Sequence, residues 1–119
     1  PIAAVPRVSG EWVVGFQLGA SEPLRCWPIT HFQALARLLF AEDERYRVAL
    51  IGSPKETALA DDFLQDLTPQ EQMRVTNYVG TLTLPQLVGH LAGFDVLVTG
   101  DTGPLHLAVA VRTPTVSLL

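Results

Sequence analysis

Glycines and oxygen-bearing side chains are interleaved in Thr99-Gly100-Asp101-Thr102-Gly103, between the apolar run Val96-Leu97-Val98 and the helix-like run Pro104-Leu105-His106-Leu107-Ala108-Val109-Ala110. A strand, an abrupt polar turn and a helix opening on Thr-Gly-Pro leave the first helical amides pointing outward without partners. The helix dipole adds partial positive charge at the same place. Such a turn seats a phosphate or diphosphate. Asp101 stands at its lip, where a carboxylate can cap the helix or bind a ligand amine or hydroxyl. The chemistry suggested is that of a nucleotide-like anion.

The totals narrow the class. A chain of 119 residues is one domain's worth, enough for a core but not for two lobes. A net charge of −4 argues against a nucleic-acid backbone, which needs clustered Lys and Arg. The single cysteine, Cys26, excludes an internal disulfide and a multi-cysteine zinc site. Three scattered histidines add no metal constellation, and His31 and His90 read as surface or core residues on helices. No apolar run approaches the roughly 18 residues of a spanning helix, and no signal peptide opens the chain. Pro1 at one end and the strand-like Thr115–Leu119 at the other suggest a domain of a longer protein. Residues 1–10 then read as an interdomain lead-in, and 11–119 as the folded unit, truncated at both ends.

The elements that must position these residues alternate. Trp12–Leu18 reads as a buried strand, followed by the loop Gly19–Arg25. Pro28 is placed as the first residue of a helix whose apolar positions are Phe32, Leu35, Ala36, Leu38 and Leu39. Tyr46–Ile51 is a second strand closed by Gly52-Ser53-Pro54, and a helix runs through Ala58, Leu59, Phe63 and Leu64 with Asp61 and Asp62 on its wet side. Thr68-Pro69 starts a helical turn reaching about Met73. Val75–Val79 is a third strand ending at Gly80, and Thr83 caps the helix Leu84–Ala92, with Pro85 at its first position. Strand Asp95–Thr99, helix Leu105–Val111 and strand Thr115–Leu119 complete the order. Continuously apolar strands alternating with helices predict an α/β fold with a parallel sheet and right-handed crossovers. Ligands collect at the carboxyl ends of such strands. The loops Gly19–Arg25, Gly52–Glu56 and Gly100–Pro104 leave from those ends, each with glycine beside a hydroxyl or charged residue.

Four segments then match one family in order. Asp101-Thr102-Gly103-Pro104-Leu105-His106-Leu107-Ala108 resembles the D-[ST]-G-P-x-H-[LI]-A box of glycosyltransferase family 9, which includes the ADP-heptose:lipopolysaccharide heptosyltransferases. Gly19-Ala20-Ser21 with Arg25-Cys26-Trp27-Pro28 resembles its G-A-[ST]…K-x-W-P loop. Gly80-Thr81-Leu82-Thr83-Leu84 resembles its G-x-[TS]-x-L segment, and Gly52-Ser53-Pro54-Lys55-Glu56 its glycine-rich turn with a following Glu. The match covers about residues 12–119. It implies a Rossmann-like parallel sheet with flanking helices, the C-terminal, donor-binding half of a GT-B glycosyltransferase.

Residue roles follow from the resemblance. Asp101, Thr102 and Gly103 match donor-site positions; the amides of Thr102 and Gly103 would hold diphosphate oxygens, and Gly103 permits close approach because it lacks a Cβ. A plain N-cap is the rival role for Asp101. His106, one turn on, either faces the ligand or packs against the Gly19 loop. Arg25 stands where the family usually has Lys and would neutralise the diphosphate leaving group, keeping the charge but altering the geometry. Ser21 can donate to a phosphate oxygen, though Ser also suits a turn. Glu56 matches an acidic residue that contacts the ribose, and carboxylates accept from two neighbouring hydroxyls. The dipole also favours an acid in a first turn. Leu82 would lie against the adenine ring. Trp27 and Pro28 fix the passage from loop to helix, Cys26 replaces a residue often basic, and Gln17-Leu18 stand where many relatives have His-Pro.

The expected function is transfer of heptose from ADP-heptose to a lipopolysaccharide inner-core acceptor with inversion, without cofactor or metal. The family's catalytic base belongs to the N-terminal half, so this chain would carry no catalytic residue. The expected location is the cytoplasm, peripheral to the inner face of the bacterial inner membrane. The alternatives are a relative using another nucleotide sugar or a protein acceptor, and a non-catalytic nucleotide-binding domain. A Rossmann-type oxidoreductase is disfavoured because Gly19-Ala20-Ser21 is not G-x-G-x-x-G. A response-regulator-like domain would need an acidic cluster at the first strand end, which is absent.

Overall fold

In a computed structural model the chain is described over residues 10–19, 27–100 and 113–117. The strands are β1 (Trp12–Gln17), β2 (Tyr46–Ile51), β3 (Val75–Asn77), β4 (Val96–Thr99) and β5 (Thr115–Ser117); the helices are α1 (Ile29–Glu42), α2 (Thr57–Gln65), α3 (Pro69–Gln72) and α4 (Leu84–Gly93). All strand pairs are parallel and the spatial order is β3-β2-β1-β4-β5. This is the expected α/β, Rossmann-like sheet with flanking helices.

Burial of both faces explains the apolar strands. On one face Phe16 packs between Phe32 of α1 and Phe63 of α2, with ring centroids 5.2 and 6.1 Å away. Phe32, Ala36 and Phe40, spaced by one helical turn, form the inward stripe of α1. Gln33 is also buried there and donates to the Asp62 and Phe63 carbonyls at 3.2 and 3.0 Å, tying α1 to the end of α2. The stripe leaves Leu38, expected on the apolar side, 69% exposed, because it falls about 100° beyond Leu39 on the helix. Pro28 stands at the N-cap rather than inside the first turn, and Trp27 meets Phe32 edge-on at 4.9 Å. On the opposite face α4 sets Leu91, with the following Phe94, against Ala49, Ile51 and Leu97. Gly15 makes this possible, since a Cβ there would land on the Phe94 ring and 3.3 Å from Leu97.

β3 stops at Asn77, earlier than the apolar run suggests, because the Asn77 side chain takes the Val79 N–H at 3.0 Å and turns the chain. Val79 is still buried, but as part of a turn. α4 has Thr83 as its cap, as expected, with Pro85 second in the helix rather than first; Thr83 Oγ1 accepts from Gln86 N, and the Gln86 side chain accepts from Thr83 N. The strand expected at Thr115–Leu119 is described as Thr115–Ser117, and the helix expected at Leu105–Val111 lies outside the described residues.

At the amino ends of the strands the charges serve the fold. The Arg74 guanidinium bonds the carbonyls of Phe40, Asp43 and Tyr46 at 2.7–3.3 Å, closing the end of α1. Arg45 pairs with Asp43 at 2.8 Å and lies 3.9 Å above the Trp12 ring, and Arg47 pairs with Glu11 at 3.1 Å. Among the described residues no helix is long and apolar enough to cross a membrane.

Candidate functional site

The strand order creates one crevice. From β1 the chain winds outward through β2 to β3, whereas from β4 it winds the other way to β5. Parallel sheets of this kind bind ligands where the winding direction reverses, at the carboxyl ends of the two central strands. Here those strands are β1 and β4, which end in the buried residues Gln17-Leu18-Gly19 and Thr99-Gly100. Ala20 follows the one and Asp101 the other, so both family-like loops start at neighbouring strand ends.

Glu56 is brought to this edge by the turn after β2. Ser53 caps a 3-10 turn, Pro54–Glu56, with Pro at its start, and the backbone N–H of Glu56 bonds the Ser53 carbonyl at 3.0 Å. The side chain of Glu56 then lies across two strand ends. A Cβ on Gly19 would stand 2.7 Å from its Cδ, and one on Gly52 3.2 Å from its Cβ. Its Oε2 accepts from the Ser53 hydroxyl. Among the described residues no Lys or Arg pairs with it.

Leu82 stands on the neighbouring loop. Gly80 N donates to Gly52 O at 3.0 Å, joining the exits of β2 and β3. Gly80 has φ +75°, a conformation L side chains seldom adopt, and a Cβ there would also press on Pro54 Cα at 3.2 Å. Thr81 bonds the Tyr78 carbonyl through both its N–H and its hydroxyl, and leaves Leu82 half-buried. The structure therefore brings the loops of Glu56 and Leu82 together beside Gly19. Ser21, Arg25, Asp101, Thr102, Gly103 and His106 lie outside the described residues, as does Cys26.

The remaining sequence candidates have structural roles. Gln17 is buried and donates to the Gly19 carbonyl at 3.4 Å, holding the β1 exit. His31 is exposed and meets Trp27 edge-on at 5.4 Å. His90 is half-buried with its ring 4.3 Å from Tyr78, and burial pushes its pKa below the usual histidine value. Reading the sequence missed the contact between Ser53 and Glu56 and the crowding at Gly19; the S-x-x-E spacing of Ser53-Pro54-Lys55-Glu56 was the available signal.

The profile of glycosyltransferase family 9 (heptosyltransferase) matches residues 3–119. The chain is 36% identical over 107 residues to lipopolysaccharide heptosyltransferase 2 of Escherichia coli K12, an alignment covering 89% of this chain and 30% of that protein. It is 33% identical to lipooligosaccharide heptosyltransferase 2 of Haemophilus influenzae over the same shares, 89% and 30%. Among solved structures, E. coli ADP-heptose lps heptosyltransferase II superposes with TM-score 0.85 at 33% identity, over 92% of this chain and 33% of that one. E. coli heptosyltransferase WaaC with ADP-2-deoxy-2-fluoro heptose gives TM-score 0.73 at 26% identity, over 95% and 33%. The chain thus spans about a third of the length of these relatives. With a profile match across nearly its whole length and an α/β sheet that superposes on two heptosyltransferases, the chain belongs to glycosyltransferase family 9.

Proposed function

We propose that this chain binds the nucleotide sugar in a heptosyltransferase, taking ADP-heptose as donor for an acceptor in the lipopolysaccharide inner core. The observation that carries the reading is the Glu56 carboxylate lying across Gly19 and Gly52, beside the reversal between β1 and β4, within a family 9 chain. A carboxylate so placed accepts hydrogen bonds from the two neighbouring hydroxyls of a ribose. Leu82, on the adjoining loop, offers apolar surface for the adenine. Thr102 and Gly103 supply backbone amides to the diphosphate, with Ser21 adding a hydroxyl and His106 a ring nitrogen. Asp101 serves the donor side of the same loop, and Arg25 balances the charge that develops on the departing ADP.

Transfer inverts the anomeric carbon: the acceptor hydroxyl attacks from the face opposite the departing ADP, and a base removes its proton. That base and the acceptor site belong to the N-terminal half of the enzyme, 11–119 being the donor unit and 1–10 the lead-in from that half. The reaction proceeds in the cytoplasm, on lipid-linked acceptor at the inner membrane face.

The relatives support this reading by name, two being heptosyltransferases 2 and one having been solved with an ADP-heptose analogue. The test is calorimetric titration of the chain with ADP and UDP in parallel, repeated on Asp101→Ala. The reading predicts binding of ADP, weaker binding of UDP and loss of ADP affinity in the variant. Preference for UDP would keep a glycosyltransferase and discard the heptose donor.

A further inference from the structure

We propose that Ser53 is a positioning residue that holds the Glu56 carboxylate ready for a vicinal diol, and so sets the preference for a ribonucleoside over a 2′-deoxyribonucleoside. The inference rests on the donor-site reading of Glu56 given above.

A serine hydroxyl has one proton and two acceptor sites. The Lys55 backbone N–H approaches Ser53 Oγ at 3.3 Å and occupies an acceptor site, so the proton is free to point at Glu56 Oε2, where the hydrogen bond is found. The hydroxyl is itself held, because Ser53 is the cap of a turn stiffened by Pro54. Gly19 closes the other side: only a residue without Cβ leaves room for the Glu56 Cγ, Cδ and Oε1 atoms. The side chain is thereby fixed by a donor at one oxygen and by backbone beside the other.

A carboxylate offers about four acceptor sites. Ser53 occupies one, leaving both oxygens able to accept from a 2′- and a 3′-hydroxyl together. Ordering a long acidic side chain at the moment of binding costs affinity, and ordering it beforehand removes that cost. The gain is largest for a ligand that engages both oxygens. A ligand lacking the 2′-hydroxyl leaves one oxygen unused and gains less, so the effect appears as selectivity.

The experiment measures dissociation constants of ADP and 2′-deoxy-ADP by calorimetry for the unmodified chain, Ser53→Ala, Ser53→Thr and Glu56→Ala, with circular dichroism to verify folding. Ser53 is exposed, so truncating it leaves the core intact. The unmodified chain should prefer ADP by about tenfold, the worth of one hydrogen bond to a charged group. In Ser53→Ala most of that preference should vanish, with ADP binding weakened more than 2′-deoxy-ADP binding, and the hydroxyl of Ser53→Thr should restore it. If Glu56→Ala abolishes the preference while Ser53→Ala retains it, the positioning role is overturned and the donor site stands. If Glu56→Ala retains the preference, Glu56 does not face the ribose, and both readings fall.

Discussion

Two turns of this chain share the pattern hydroxyl-Pro-x-Glu, Thr68-Pro69-Gln70-Glu71 and Ser53-Pro54-Lys55-Glu56, yet their acids do different things. In the first, Glu71 reaches back to the Thr68 N–H at 2.8 Å while Thr68 Oγ1 accepts from Glu71 N at 3.2 Å, a reciprocal box that starts α3. Arg37 adds an ion pair to Glu71 at 3.4 Å. Glu71 is thus consumed by its own turn and by α1. In the second, the acid bonds the Ser53 hydroxyl and lies over Gly19, outside its turn. The first turn stands by the amino ends of the strands, the second at the carboxyl ends. The difference teaches that an acid in a first turn is a cap where it folds back, and a candidate ligand group where glycines draw it across a neighbouring strand end.

The strongest way to break this comparison is to remove the two acids in turn. Glu56→Ala should weaken ADP binding by about tenfold to a hundredfold with little change in the urea midpoint. Glu71→Ala should do the reverse, lowering the midpoint and leaving affinity alone. Equal effects on stability would mean that both acids are caps. Next in size, Gly19→Ala should cost several-fold in ADP affinity with only a small loss of stability, since the added Cβ meets the Glu56 side chain, which it would displace, rather than backbone. An unchanged dissociation constant in that variant would contradict the crowding at Gly19.

Thr68→Ala should then cost about 1 kcal/mol by loss of the cap, and Ser53→Ala less, because Thr68 forms the reciprocal box with Glu71 whereas Ser53 Oγ caps its turn through the Lys55 N–H at 3.3 Å. Chemical unfolding of both variants measures the difference. The smallest effect expected is on pH dependence. The Thr68 N–H, and less strongly Arg37, hold the Glu71 carboxyl below its ordinary pKa. Its folded-state value lies below the unfolded one, so its stabilising contribution is complete above the ordinary carboxylate range and is lost as pH falls through the lowered value. Asp43, held to about 2 chiefly by the Arg45 side-chain hydrogen bond, loses its contribution in the same direction as pH falls from about 4 toward 2. Stability measured against pH should be flatter in acid for Glu71→Gln than for the unmodified chain; a parallel curve would deny the box its electrostatic role.

Much of the fold was legible because it is local. Tyr46–Ile51 is apolar and β-rich between polar turns and forms β2 at those residues; Thr83 caps α4 as its S/T-x-x-Q pattern implies. Leu38, expected on the apolar side of α1, is exposed while Gln33 is buried, because the position of α2, a partner nearly thirty residues away, decides which stripe is covered. The place of β1 beside β4 depends on pairing across some eighty residues, which no local pattern carries, and with it the crevice between their ends. At the candidate site the glycines at 19, 52 and 80 were legible as turns. Their closeness to Glu56 and Pro54 was not, because it arises only when separate strands end side by side.

The most direct test of the central claim is an amide chemical-shift titration of the chain with ADP. The account predicts shifts at Gly19, Gly52, Ser53, Glu56, Gly80 and Leu82, with Thr102 and Gly103, and none at Gly10, Arg45 or Arg74 by the opposite ends of the strands. Shifts confined to that opposite end, or a folded chain that does not respond at millimolar ADP, would contradict it.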